Sequence, residues 1–149
     1  AEELAAELFP DLVIVRPAGI YGPGRTSMVE RVRRGAPLAH RRVTNRIHRD
    51  DLVTVLATVL SSAEPPRLLH AVDHDAARLG DVAAHLAHRL GVPVPPDDSG
   101  PGEGPLGKIV DGELVHALVP REEWRYPTFR EGYDALLADG SADSWVGRG

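Results

Sequence analysis

The apolar run Leu12-Val13-Ile14-Val15 breaks directly into Arg16-Pro17-Ala18-Gly19-Ile20-Tyr21-Gly22-Pro23-Gly24-Arg25. A short run rich in β-branched residues reads as a buried strand. A strand that gives way to Gly- and Pro-punctuated backbone is how an open α/β sheet builds a ligand crevice at its carboxyl edge. Gly19, Gly22 and Gly24 permit close backbone approach to a ligand, while Pro17 and Pro23 stiffen the path. Tyr21 adds an aromatic body and a hydroxyl. By pattern alone the segment also suits a plain β–α connection whose Gly and Pro only make turns.

The rest of the chain supplies helices around one further strand. Helices are expected over 1–8, 27–34, from Asp50-Asp51 through Leu60, over 80–90, 110–118 and about 128–138. Strands are expected at 12–16 and 68–72, the second followed by the turn-forming Asp73-His74-Asp75. Leu52, Val53, Leu56, Val59 and Leu60 form the expected buried stripe of their helix, with Asp50 or Asp51 as its N-cap. Val82, Leu86 and Leu90 share a face, and Gly91 is the expected C-cap. Thr128 and Glu131 have capping-box spacing. Residues 92–107 hold five Pro and four Gly and read as loop.

Strands separated by helices predict a parallel α/β fold, with 12–16 and 68–72 parallel in one sheet. Two strands leave edges unpaired, so the remaining strands are expected in a segment preceding Ala1. The opening Ala1-Glu2-Glu3-Leu4, a helix without an N-cap, fits a fragment. The expected organisation is one α/β unit over 1–139 and a frayed tail over 140–149.

Composition narrows the function classes. The 149 residues carry a net charge of −5 and no Cys, which excludes disulfides, a thiolate nucleophile and Cys-ligated metal. No apolar run approaches about 18 residues and no signal-peptide pattern is visible, so a cytoplasmic protein without membrane association is expected. The seven His carry no HExxH pattern or tight carboxylate cluster, so no metal site is expected.

Seven Arg and no acid lie between Arg31 and Arg49. Such a run is either a solvated face or a site for an anionic group, which guanidinium binds bidentately. A nucleic-acid-binding module built on this segment is a remote alternative, since no aromatic residue interleaves the arginines. Gly102-Glu103-Gly104-Pro105-Leu106-Gly107-Lys108 satisfies two phosphate-loop patterns, yet no strand precedes it and residue 109 is Ile. Both readings are rejected.

Segment 16–25 resembles the "RPAxIYGPG" segment of the short-chain dehydrogenase/reductase superfamily, in its NAD-dependent epimerase/dehydratase branch. Arg46-Ile47-His48-Arg49-Asp50-Asp51 is similar to that branch's "(R)IHVDD" segment, with Arg49 where Val is usual. Tyr126-Pro127-Thr128-Phe129-Arg130-Glu131-Gly132-Tyr133 resembles the "YPTYREGL" ending of an atypical reductase branch, and 107–110 an "SKRV"-like run. The resemblance covers roughly residues 1–138 and corresponds to the C-terminal half of such proteins.

It implies a Rossmann-like parallel sheet with a small substrate lobe, NAD or NADP as cofactor, and oxidoreductase or epimerase activity on a small, anionic or sugar-like substrate. Pro17, Ala18, Gly19 and Ile20 would be cofactor-side; Tyr21, Arg25, Arg46 and His48 would face substrate. The family's Tyr-x-x-x-Lys pair and glycine fingerprint do not occur in this chain. No catalytic residue is therefore assigned. A catalytically silent NAD(P)-binding or sensor protein of the same fold is the alternative. The expected partners are the small-molecule substrate, the missing N-terminal half and, as an open option, a second copy in a homodimer.

Overall fold

A computed structural model of the protein describes residues 1–140; the tail expected to fray lies, beyond Gly140, outside the described residues. Helix α1 (Glu2–Leu8) leads to strand β1 (Ile14–Pro17). β1 pairs in parallel with β5 (Leu68–Ala71), from Ile14 opposite Leu68 to Pro17 opposite Ala71. This is the arrangement that the two apolar runs predicted. Their Val, Ile and Leu side chains suit strands covered on their faces.

The segment read as pure loop after β1 contains a second strand, β2 (Gly19–Tyr21). It pairs in parallel with β4 (Arg46–His48), Gly19 opposite Arg46. Ala18 joins the two pairings: its N–H donates to Ala71 while Gly19 N–H donates to Asn45. The chain thus changes partner from β5 to β4 without leaving an extended path. A third pair is antiparallel, β3 (Val43–Thr44) with β6 (Ala77–Arg78). These short strands carry too few residues for a two-residue period to show in the sequence.

Helices α2 (Ser27–Arg33), α4 (Leu79–Leu90) and α6 (Phe129–Ala138) pack around one apolar cluster that includes Val29, Val32, Leu86 and Phe129. Gly91 ends α4 in the left-handed conformation at φ 67°, and Thr128 with Glu131 closes the expected capping box on α6. Asp134 binds α6 to α4 through His85 Nε2 at 2.8 Å and Arg89 Nε at 3.1 Å. Helices α3 (Arg49–Ser61) and α5 (Glu113–Leu118) cover β4 and β5 around Ile47, Val55, Leu69 and Trp124.

Two expectations about α3 are corrected. Its N-cap is His48, whose Nδ1 accepts the Asp50 N–H, rather than Asp50 or Asp51. Its buried face is Asp51, Val55 and Val59, one side chain per turn; Val53 and Leu60 are 61% and 87% exposed. The cause is Asp51, whose carboxylate accepts the N–H groups of Arg125 at 2.7 Å and Tyr126 at 3.0 Å. Satisfying that buried acid fixes the rotation of the helix, which leaves Val59 inside and turns Val53 and Leu60 outward.

Candidate functional site

The chain leaving β1 runs, as β2, along a cleft of about 230 Å³. Gly19, Ile20 and Tyr21 form one wall, Asn45 and Arg46 another, and Tyr133 of α6 closes the inner side; Arg25 stands at the rim. Pro17, Ala18 and Gly19 approach it along the strand, Pro17 and Gly19 exposed and Ala18 half-buried. At Gly19 an added Cβ would meet the Asn45 carbonyl at 3.2 Å, so the β2–β4 backbones close up where no side chain intervenes. Five of the eight residues singled out in the sequence, Gly19, Ile20, Tyr21, Arg25 and Arg46, come together on this cleft.

Tyr21 lines the cleft from a buried position, 5% exposed. Its ring sits 4.5 Å from that of Tyr133 and meets His48 edge-on at 5.2 Å. Gly132 makes room for it: a Cβ there would fall 2.0 Å from the Tyr21 hydroxyl. Burial pushes the phenol of Tyr21 above its ordinary range and that of Tyr133 up to about 12, so both remain neutral hydroxyls. His48, 2% exposed, packs against Tyr126 with ring centres 4.2 Å apart and planes tilted by 50°, and burial lowers its pKa. With Nδ1 committed to the α3 cap, its ring supports Tyr21 from behind.

Arg46 is the most informative member. It is 6% exposed, yet its Nη1 is buried without a hydrogen-bond partner. Nη2 donates to the Thr44 hydroxyl, and the guanidinium carbon lies 5.3 Å from the centre of the Phe129 ring. Behind it is Asp73, 3% exposed, whose N–H donates to the Arg46 carbonyl at 2.8 Å. Asp73 Oδ1 accepts the Asp75 N–H, while Oδ2 is buried and unpartnered. Burial raises this carboxyl to about 7, against the opposing pull of Arg46.

Sequence reasoning treated Asp73 only as a turn former and did not single out Asn45 or Tyr133. The available signal for Asp73 was its place just past the carboxyl end of a buried strand, where α/β sheets keep their ligand groups.

Several arginines of the run bind the protein's own backbone. Arg41 donates to the carbonyls of Ser99, Gly100, Pro101 and Gly104, stapling the Pro- and Gly-rich loop to the body. Arg31 donates to Pro37, and the exposed Arg49 binds the Pro23 carbonyl and the Asp50 carboxylate. Among the described residues, Arg25 and Arg46 are the basic residues that line the cleft.

No family model and no curated protein matches the sequence. Solved structures do. A Methylobacillus flagellatus protein of the NAD-dependent epimerase/dehydratase type is 32% identical, with a TM-score of 0.69 over 91% of this chain and 51% of its own. A conserved protein of unknown function from Silicibacter pomeroyi is 30% identical, TM-score 0.64, over 87% and 48%. UDP-glucuronic acid 4-epimerase from Bacillus cereus, solved with UDP-glucuronic acid and NAD, shares the fold at 16% identity, TM-score 0.69, over 91% and 47%. The chain spans about half the length of each. In fold the chain matches about half the length of the solved NAD-dependent epimerase/dehydratase structures, consistent with a C-terminal portion of their Rossmann-like α/β architecture.

Proposed function

We propose that this chain supplies the nicotinamide-side wall and the substrate lobe of an NAD(P)-dependent oxidoreductase or epimerase acting on a small, hydroxylated or anionic substrate. The observation that carries the reading is the buried Arg46 guanidinium, which lines the cleft beside Gly19 and Tyr21 and has Nη1 without a partner. A buried donor without a partner is costly, and a ligand that accepts from it removes the cost. Pro17, Ala18, Gly19 and Ile20 would lie against the cofactor; Tyr21, Arg25 and Arg46 would bound the substrate, with His48 holding Tyr21 in place. A nicotinamide bound there supplies hydride transfer.

The pyrophosphate cradle and the proton-transferring groups belong, in this reading, to an N-terminal part that continues the sheet. Two features support such a part. Among the described residues β1 is paired on one side only. The apolar Leu4, Leu8 and Phe9 of the α1 region stand exposed.

Titration calorimetry of the full-length encoded protein with NAD⁺ and NADP⁺ tests the proposal. Binding of either, weakened at least tenfold by Gly19→Val at the cofactor-side wall, supports it. Absence of binding at millimolar cofactor overturns it.

A further inference from the structure

A second hollow, of about 360 Å³, is lined by Ile20, Gly24, Arg25, Thr26, Ser27 and Glu30. Ile20, Arg25 and Ser27 line the cleft as well, so the two hollows adjoin along these residues. The cleft alone, at about 230 Å³, is smaller than a usual small-molecule pocket of roughly 300–1,000 Å³. The side hollow extends it into that range.

The side hollow holds a carboxylate with spare capacity. Glu30 is half-buried on α2, and among the described residues no cation forms an ion pair with it. Its Oε1 accepts the Thr26 hydroxyl at 2.9 Å, and its N–H donates to the Thr26 carbonyl at 3.1 Å. Thr26, 9% exposed, stands at the N-cap of α2 yet makes no side-chain cap, its hydroxyl being committed to the carboxylate. Glu30 Oε2 accepts from no donor among the described residues and is not sealed from solvent. Arg25, exposed on the same hollow, likewise has no side-chain partner among the described residues.

A carboxylate oxygen only accepts, so the group that fits Glu30 is a donor. An ammonium group satisfies it but meets the Arg25 guanidinium on the same hollow. A hydroxyl is neutral, donates to the carboxylate and keeps lone pairs for other donors. Resting on the reading of the cleft as a substrate site, we infer that the side hollow is a subsite where Glu30 accepts a hydrogen bond from a substrate hydroxyl. The substrate class is then a polyhydroxylated anion, its charged group toward Arg46 and its hydroxyl-bearing end beside α2. An analogue without hydroxyls strips water from Glu30 and returns no donor, which weakens it.

Ligand-observed NMR titration of the full-length encoded protein tests this with gluconate, hexanoate and 6-aminohexanoate. Gluconate is expected to bind at least tenfold more tightly than hexanoate, because a hydrogen bond to a charged acceptor is among the strong ones. Equal affinities, or no binding of gluconate, overturn the inference. Tighter binding of 6-aminohexanoate than of gluconate makes the donor an ammonium group and overturns it too. In Glu30→Leu, gluconate is expected to fall to the level of hexanoate while hexanoate is unchanged. Glu30→Gln, which keeps the shape of the side chain, is expected to weaken gluconate about threefold and provides the measurement if the leucine variant does not fold. Unchanged gluconate affinity in a folded variant sinks the subsite. NAD⁺ binding in the same samples separates the two readings: its absence in the unsubstituted protein overturns the proposed function, whereas the gluconate comparison decides the subsite.

Discussion

At the scale of single residues, the site is governed by groups that burial has moved from their ordinary protonation behaviour. Asp73 is held at about 7, so between roughly pH 4 and 7 the unfolded chain loses this proton before the folded one. Rising pH then destabilises the fold, by up to about 1.4 kcal/mol for each pH unit of that window. His74 works in the opposite sense. Burial, with His116 and Arg121 nearby, holds it down to about 4. Between roughly pH 6.5 and 4 the unfolded chain gains a proton that the folded chain refuses, so falling pH destabilises. The two effects oppose one another across the same range. Replacing Asp73 by Asn removes one of them. Urea unfolding at pH 4.5 and pH 8 is expected to show the stability of D73N rising relative to the unsubstituted protein as the pH goes up. A pH-independent difference between the two would contradict this account of the carboxyl.

At the scale of elements, the sharpest reassignment concerns the arginine run and the loop over 92–107. The loop has no helix or strand of its own, and its Gly and Pro explain why. It is nonetheless tied down, with Leu38 N–H donating to Pro96 at 3.0 Å and Val43 N–H to Leu106 at 2.7 Å. Arg41 adds the four carbonyl contacts described above. Arg41→Ala is expected to cost about 1–2 kcal/mol, less than a fully buried charged donor because the site is partly hydrated. Limited proteolysis gives the more direct measurement: cleavage within 97–107 is expected to accelerate while the helices stay resistant. Unchanged cleavage would mean the loop is held by its backbone contacts alone. Helix α3 carries a different lesson. Of the five apolar residues that periodicity aligned, Val59 is buried and Leu52 packs on the core, while Val53, Leu56 and Leu60 face outward.

At the scale of the whole molecule, the solved relatives are about twice as long as this chain. The described residues contain the cleft wall at β2 but no G-x-G-x-x-G fingerprint joining a strand to a helix N-terminus, where a pyrophosphate would sit. The 149-residue chain is therefore expected to bind NAD⁺ weakly even where it folds. Calorimetry giving a low-micromolar Kd for this chain alone would contradict the proposed division of the site between two parts.

Much of the framework was legible in the sequence. The parallel pairing of β1 with β5, the stop of α4 at Gly91 and the start of α6 at Thr128 each rest on signals a few residues long: a β-branched run, a left-handed glycine, a capping box. The motif segment 17–21 and Arg46 were likewise visible as residues of interest. What tertiary structure alone decided were the β2–β4 pairing, the rotation of α3 about Asp51, the capping role of His48 and the burial of Arg46 beside Asp73. Each depends on groups tens of residues apart in sequence. A three-residue strand exists only because distant backbone completes its hydrogen bonds, and whether a charge is exposed or buried unpaired depends on what packs over it.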